Sequence, residues 1–279
     1  MQFHVYSFRF EFSAIDAVHF PAGKPGNILR GALGMLLQQD DRAYARVFRP
    51  ASAAGSPSGL SDPPRLFVFR AAHLDGVTAQ PGERFHFGLN IFETRRPVVD
   101  HFTRAFAQLA GEGLGPGRGR AELIAVHALN DAGRPLALEL DARPEPIRRL
   151  RVRFVTPTEL KLETKLTARP EFPALFNRAR DRISTLRALY QDGPLPIDFH
   201  DIGRRAAAVR LTRCELEWHD TQRHSSRTGQ VHPIGGFTGE AEYEGNLAEF
   251  HPYLHAAQWT GIGRHTVWGN GAIKVTVME

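Results

Sequence analysis

A pattern that occurs twice limits what this chain can fold into: a helical stretch, a glycine-rich loop with a basic residue, and a strand. The second copy lies at residues 261–275, where four glycines follow a helical pattern and precede a strand-like terminus. The first copy lies at residues 113–126, where Arg118 sits among closely spaced glycines. Internal similarity of this kind is the sequence signature of a duplicated unit. We therefore expect two copies of one small fold.

The terminal loop combines its glycines with side chains that suit a nucleic acid. Glycine allows positive φ and close approach of the backbone, and exposed N–H groups in such a turn form a concave anion site. The loop lacks the Gly-Lys-Ser/Thr ending of an NTP-binding loop, and it precedes a strand instead of a helix. We expect Arg264, His265 and Lys274 to contact nucleic acid, with Trp268 half-buried under the loop. The alternative is a loop shaped only for packing.

Hydrophobic periodicity predicts the same order of elements in both halves. In the first half the patterns predict a strand at 2–12, a helix capped by Asn27 with a short tail or second helix at 40–46, strands at 65–71 and 83–92, a helix at 97–110 and a strand at 121–128. In the second half they predict a strand at 149–155, a helix at 171–190, strands at 207–218 and 236–244, a helix at 247–260 and a terminal strand.

This order, β-α-β-β-α-β, is the ferredoxin-like arrangement, and 279 residues suffice for two such domains. We predict an α+β protein with two tandem ferredoxin-like (RRM-like) domains. The expected boundaries are 1–130 for the first domain, 131–147 for a linker and 148–279 for the second domain.

Charge and cysteine content indicate the partner and the compartment. The net charge is +5, and most of the positive side chains are arginines, whose planar guanidinium suits phosphate and stacking. A single cysteine, Cys214, excludes an intrachain disulfide and a cysteine-based metal cluster. No apolar run approaches the roughly 18 residues that a membrane span needs, and the N-terminus alternates instead of forming a signal-peptide core. We expect a cytoplasmic protein that binds RNA in a cleft between its halves, although no RNP-like aromatic octamer is present.

Three segments carry a resemblance to a known family: 28–34 in the first helix, Gly-Gly-Phe-Thr-Gly at 235–239, and the terminal glycine loop. The loop at 113–120 and Thr-Pro-Thr at 156–158 agree with it. With these motifs the sequence resembles the CRISPR-associated, repeat-specific endoribonucleases of the RAMP superfamily, which cut precursor CRISPR RNA. The resemblance implies recognition of a stem-loop repeat RNA and cleavage without metal or cofactor. Attack by a 2′-hydroxyl would give a 2′,3′-cyclic phosphate and a 5′-hydroxyl, and the protein would stay bound to its product.

The sequence departs from the family where a catalytic histidine commonly follows the first helix, because residues 38–49 contain no histidine. Arg42 and Arg46 could stabilise the phosphorane, but arginine is a poor base because it stays protonated. Tyr44 could relay a proton if its pKa were lowered, and His19 titrates near neutrality. We predict these four residues as catalytic candidates, with His265 as a further one.

Ten basic residues are predicted to contact RNA: Lys24, Arg30, Arg118, Arg149, Arg151, Arg223, Arg227, Arg264, His265 and Lys274. Each also has a structural alternative. Arg30 could pair with a carboxylate. The arginines at 149–153 could form an ordinary exposed strand face. Arg42 and Arg46 could lie on a solvent-exposed helix face. His251 and His255 share one helix face, but no third ligand is evident, so we predict no metal site.

Two functions remain open from the sequence. The complete duplicated fold with its terminal loop favours an endoribonuclease. The missing histidine favours a non-catalytic RAMP subunit that holds CRISPR RNA within an effector complex. Either function implies repeat RNA as a partner, and other subunits of a CRISPR complex are further candidate partners.

Overall fold

The computed structural model describes residues 1–50, 63–96, 98–130, 133–142, 144–162, 165–220, 222–224 and 231–279. Within these ranges, no helix combines the length and the apolar character needed to cross a bilayer.

The first half forms one antiparallel sheet backed by helices. Its strands are β1 (Gln2–Ala14), β2 (Val18–His19), β3 (Phe67–Arg70), β4 (Thr78–Ala79), β5 (Arg84–Ile91) and β6 (Ala121–Ala128), and its helices are α1 (Pro25–Leu37), α2 (Asp41–Phe48), α3 (Val99–Ala107) and α4 (Leu109–Glu112). The sheet order is β3-β5-β1-β6, with β2 and β4 forming a separate pair.

Aromatic residues at alternate positions of β1 explain why this sheet forms. Phe10 pairs with Phe87 of β5, and Phe12 pairs with Phe85, with ring centroids 5.4 Å and 5.2 Å apart. Phe106 of α3 meets Phe10 edge-on at 5.6 Å and closes the core from the helix side. Such offset and edge-on pairs add to the free energy gained by burial of the rings.

The first helix begins earlier than its sequence predicted. α1 starts at Pro25 and its cap is Lys24, so Asn27 lies within the first turn and the predicted Asn27 cap is wrong. Proline is favoured there because its missing N–H would have no partner in a first turn. The predicted short second helix is confirmed as α2, where Asp40 accepts hydrogen bonds from the N–H groups of Arg42 and Ala43, both at 3.0 Å.

The second half repeats the arrangement. Its strands are β8 (Arg149–Thr158), β9 (Leu160–Leu162), β10 (Lys165–Thr167), β11 (Arg210–His219), β12 (Gln222–His224), β13 (Val231–Pro233), β14 (Gly236–Glu244) and β15 (Ile273–Met278), and its helices are α5 (Phe172–Tyr190), α6 (Phe199–Ala206) and α7 (His251–Thr260). The main sheet has the order β11-β14-β8-β15. Each sheet thus runs second, third, first, fourth strand, and the predicted tandem ferredoxin-like fold is confirmed.

Besides short elements of two or three residues, two described elements fall outside the predicted pattern. β7 (Leu136–Glu139), within the predicted linker, pairs antiparallel with the start of β1 and extends the first sheet. α6 follows α5 and is capped by Asp198, which accepts hydrogen bonds from the N–H groups of His200 and Asp201.

Polar side chains at the ends of elements join the two halves. Asn90 of β5 donates to the carbonyl of Trp259 at 2.8 Å. The buried amide of Gln191 donates to the carbonyls of His4 and Phe92, at 2.7 Å and 3.1 Å. Because a buried donor without a partner destabilises the folded state, these bonds also specify how the halves meet.

Both glycine loops close against the turn that follows the first strand of their own half. In the first half, a Cβ on Gly119 would lie 2.1 Å from the carbonyl oxygen of Ala17. In the second half, a Cβ on Gly263 would lie 2.3 Å from that of Glu159. The repeated sequence pattern therefore encodes the same backbone contact twice.

We expect Gly271→Ala to lower the free energy of unfolding by more than about 2 kcal/mol, because left-handed backbone is unfavourable for L-residues. Gly271 has φ 73°, and its Cβ would lie 1.9 Å from the carbonyl oxygen of Ile262. Gly31→Ala is the control, since this α1 position has no atom within 4 Å of the added Cβ and alanine favours helix. Urea denaturation measures both variants, and equal stabilities would contradict the close contact.

Candidate functional site

The end of β8 holds the terminal loop by its backbone. Thr156 Oγ1 donates to the carbonyl of Gly269 and accepts from the N–H of Ala272, both at 2.9 Å. The N–H of Gly271 donates to the carbonyl of Pro157 at 3.0 Å. The Thr-Pro-Thr segment is thus the support on which the loop is built.

A buried carboxylate organises the basic residues of this loop. Glu159 is 4% exposed. One of its oxygens accepts from Arg264 Nη1 at 2.5 Å, and the other lies 3.9 Å from His265 Nε2. About half of the Arg264 side chain, 52%, remains exposed, so this guanidinium can meet a second anion while Glu159 fixes its position.

The loop rests on the start of α1. A Cβ on Gly26 would lie 2.3 Å from the carbonyl oxygen of Trp268. The guanidinium carbon of Arg30 lies 5.6 Å from the ring centroid of Trp268 and 5.2 Å from that of Phe48. Trp268 is half-buried, as predicted, and His265 stacks on it with ring centroids 4.7 Å apart. Arg30 and His265 therefore both contact one indole, and Arg264 precedes His265 in the same loop.

A cleft of about 620 Å³ opens between the two halves beside this loop. Gly23, Pro25 and Gly26 form part of one wall, next to Lys24. The opposite wall includes Trp218 and His219 at the end of β11. A groove of this size suits a splayed nucleotide, and indoles offer stacking surfaces for bases.

A neighbouring cleft of about 470 Å³ contains a guanidinium that the sequence analysis missed. Arg70 of β3 lines it, and burial lowers its pKa to about 10. The pKa of Arg182 of α5 is likewise lowered to about 10, mainly by burial and to a smaller extent by the positive charge of Arg70. Both stay positively charged at neutral pH. Arg70 pairs with Gly88 of β5, whose Cβ would lie 2.9 Å from that of Arg70, and no sequence motif marks this pairing.

His19 and Arg118 lie together at the first glycine loop, apart from the terminal loop. His19 Nδ1 is 2.8 Å from Thr78 Oγ1, and its carbonyl oxygen lies 2.8 Å from the Cβ position of Gly115. The guanidinium of Arg118 donates to the carbonyl and the carboxylate of Glu112, at 2.8 Å and 3.0 Å.

The three candidates on α2 have partners within the first half. The ring of Tyr44 packs 5.1 Å from that of Phe48. Arg46 donates to the carbonyl of Arg96 at 3.2 Å and lies 3.9 Å from the Glu93 carboxylate. Arg42 is exposed. Across the described ranges, none of these three forms a hydrogen bond, ion pair or ring contact with the terminal loop.

On the open face of the second sheet, arginines converge on one buried carboxylate. Arg151 donates to Glu242 at 2.8 Å and 3.1 Å, and Arg149 reaches the same carboxylate at 3.5 Å. Hydrogen bonding from Arg151, supported by the charges of Arg213 and Arg149, lowers the pKa of Glu242. Lys274 of β15 lies exposed on the same face, opposite Arg153.

Two predicted RNA contacts cannot be placed by their side chains. Arg223 belongs to β12, for which only the backbone is described. Arg227 lies outside the described residues. His251 and His255 do share a face of α7, with ring centroids 6.1 Å apart.

Comparison with known proteins finds one family model that matches each half of the chain. A family model described as the CRISPR-associated endoribonuclease Cas6 matches residues 152–273. A family model described as an N-terminal domain matches residues 3–151. A search of curated proteins gave no match.

Solved structures share the fold over nearly the whole chain. A Cas6 product complex is 17% identical and aligns over 98% of this chain and 99% of its own, with a TM-score of 0.62. Thermus thermophilus Cas6 is 15% identical over 99% of each chain, with a TM-score of 0.60. A RAMP protein binding different RNA substrates is 10% identical over 97% and 99%, with a TM-score of 0.52. The Cas6 endoribonuclease family model thus matches the second half of the chain, and the fold shared with these structures extends over nearly all of it.

Proposed function

We propose that this protein is a metal-independent endoribonuclease that binds CRISPR repeat RNA, cleaves the precursor and stays bound to the product. The observation that carries the proposal is the terminal loop beside the interdomain cleft, where Arg30 and His265 pack on Trp268 and Glu159 holds the half-exposed Arg264. The family match to an endoribonuclease supports the reaction class.

The reaction suits a site built from positioned cations. The 2′-hydroxyl attacks the adjacent phosphate, and negative charge grows on the phosphorane oxygens. Preorganised donors stabilise that charge, and fixed in-line geometry supplies much of the remaining rate. Arg264 fits the first role because Glu159 orients its guanidinium while half of the side chain stays accessible.

RNA binding would extend from this loop over both halves. Lys24 lies between residues that line the cleft, and Arg30 of α1 packs against Trp268. Arg118 belongs to the first loop, and Lys274 to the open sheet face. We propose that these residues, with Arg149, Arg151, Arg223 and Arg227, contact phosphates of a stem-loop repeat. Structures with the same fold include a Cas6 product complex and a Cas6-RT-Cas1–Cas2 complex, so we propose repeat RNA and other CRISPR subunits as partners.

Our catalytic candidates within the first half remain Arg42, Arg46, Tyr44 and His19. Arg46 is the strongest of the four, because its contacts with Glu93 and the Arg96 carbonyl hold the guanidinium in one place. A fixed cation stabilises a transition state without reorganisation.

Incubation of the purified protein with its cognate repeat RNA in EDTA tests the function. We expect one cut at a fixed position, with a 2′,3′-cyclic phosphate on the upstream fragment and a 5′-hydroxyl on the downstream fragment. A substrate with a 2′-deoxy residue at the cut site should bind and remain intact. Tight binding of the all-ribose RNA without products would contradict the enzyme and indicate a non-catalytic RAMP subunit.

We expect Arg46→Ala to slow single-turnover cleavage by tenfold or more, equivalent to about 1.4 kcal/mol of barrier. Arg95→Ala is the matched control, because Arg95 pairs with the same carboxylate of Glu93 at 3.7 Å. A slower Arg46 variant beside an unchanged Arg95 variant would assign the effect to the guanidinium of Arg46. Equal rates in all three proteins would remove Arg46 from the site.

We expect Glu242→Gln to change both stability and RNA affinity. The lowered pKa of Glu242 means that its ionised form stabilises the fold above its ordinary value of 4.5 and that this stabilisation is lost as the pH falls. The variant should therefore lose stability at pH 7 and show a shallower decline under acid.

The same change releases Arg149 and Arg151, so RNA should bind at least about threefold more tightly, with a steeper salt dependence. Glu244→Gln is the control, since Glu244 pairs with Arg210 at 3.2 Å on the same sheet face and the change also removes one negative charge. An equal gain in affinity for both variants would show a net-charge effect and contradict phosphate contacts by Arg149 and Arg151.

A further inference from the structure

The interdomain cleft contains an imidazole that the sequence analysis did not single out. His219 is the last residue of β11 and pairs with Gly236 at the start of β14. It lines the cleft of about 620 Å³ together with Gly269 and Asn270 of the terminal loop. Its Nε2 lies 2.7 Å from Thr238 Oγ1.

The Gly-Gly-Phe-Thr-Gly motif fixes this imidazole relative to the terminal loop. A Cβ on Gly236 would lie 2.6 Å from backbone atoms of Thr158, so β14 can approach the end of β8 only without a side chain there. The same end of β8 holds Gly269 through Thr156. His219, bound to Thr238 of the motif, is therefore tied to the support that carries the loop.

The tautomer in which Nε2 donates to Thr238 Oγ1 leaves the lone pair on Nδ1. Within the described ranges, Nδ1 of His219 has no hydrogen-bond partner, while Thr238 restricts the rotation of the ring. A neutral imidazole in this state can accept a proton. In the site of a bound RNA, the donor within reach would be a ribose hydroxyl.

Within the described ranges, neither carboxylate that lines the cleft forms a hydrogen bond or ion pair with His219. Asp75 accepts from the N–H of Gly23 at 2.5 Å, and Asp220 accepts from Trp218 Nε1 at 3.0 Å. On the same sheet, Glu217 precedes His219 by two positions on β11, and Glu240 is the acidic residue of the paired strand β14 that lies nearest to Gly236 in sequence. Lys24 and Arg30 belong to the opposing helix end.

We propose that His219 is the general base of the cleavage reaction, taking the place of the histidine that is absent after the first helix. The inference rests on the proposed function, since it needs an RNA 2′-hydroxyl in the cleft. Trp218, which is 40% exposed beside it, would stack with a base next to the cut.

The step balances without a further reactant. Nδ1 takes the proton of the 2′-hydroxyl, the oxygen forms a bond to phosphorus, and the bond from phosphorus to O5′ breaks. The bonding pair leaves with O5′, which takes a proton from water, and the imidazolium returns its proton to solvent. The products are a 2′,3′-cyclic phosphate and a 5′-hydroxyl.

Single-turnover cleavage of cognate repeat RNA over pH 5–9 tests the proposal with His219→Ala, His219→Asn and the exposed control His127→Ala. General-base catalysis contributes about 10²–10⁴-fold, so we expect both His219 variants to cleave at least a hundredfold more slowly while RNA affinity changes less than threefold. The wild-type rate should rise with pH across the imidazole titration, and both variants should lose this rise. Added imidazole should partly restore His219→Ala.

A His219→Ala variant that keeps the wild-type cleavage rate and pH profile would overturn the assignment. A slower variant that keeps the pH profile and gains nothing from imidazole would also overturn it, by assigning His219 a structural role. Failure of wild type and His127→Ala to cleave at all would overturn the proposed endoribonuclease and its base together. Thr238→Val should slow cleavage less than His219→Ala does, because it removes only the partner that orients the ring.

Discussion

The site depends on close backbone contacts that only glycine permits. They lie within the terminal loop and between this loop and its two supports, the end of β8 and the start of α1. The loop approaches Ile262 at Gly271, Glu159 at Gly263 and, across the interface, α1 at Gly26. Any side chain at these points would occupy the space of a backbone carbonyl. Cations and rings can then be held at fixed positions, because the peptide groups beneath them are fixed.

The first half contains the same kind of glycine contact, but the arginine of its loop is held by a different carboxylate. Its loop closes on Ala17 at Gly119, as the terminal loop closes on Glu159. However, its arginine, Arg118, pairs with the exposed carboxylate of Glu112, whereas Arg264 shares the buried carboxylate of Glu159 with His265. Duplication thus supplied two equivalent loops, and the terminal one lies at the cleft between the halves.

Periodicity in the sequence was sufficient to predict the topology of both sheets, because alternation in β1 and the apolar stripes of α1 and α5 reflect local burial. It missed the pairing of β7 with β1, which depends on a strand more than 130 positions away. It also missed Glu159 and His219. Glu159 has no motif of its own, and His219 reaches the cleft only because β14 pairs with both β11 and β8. Glu159 and His219 differ from other polar residues in where the tertiary fold places them, and a single sequence does not show that placement.

The affinity of Gly26→Ala for cognate repeat RNA tests the central claim most directly. This glycine lies in the first turn of α1, where alanine suits the helix, and the three atoms nearest to the added methyl group belong to the carbonyl of Trp268 and to Gly269. If the seated loop builds the RNA site, the variant should fold, yet bind repeat RNA at least tenfold more weakly, about 1.4 kcal/mol. Wild-type affinity and cleavage in a folded Gly26→Ala protein would contradict the account.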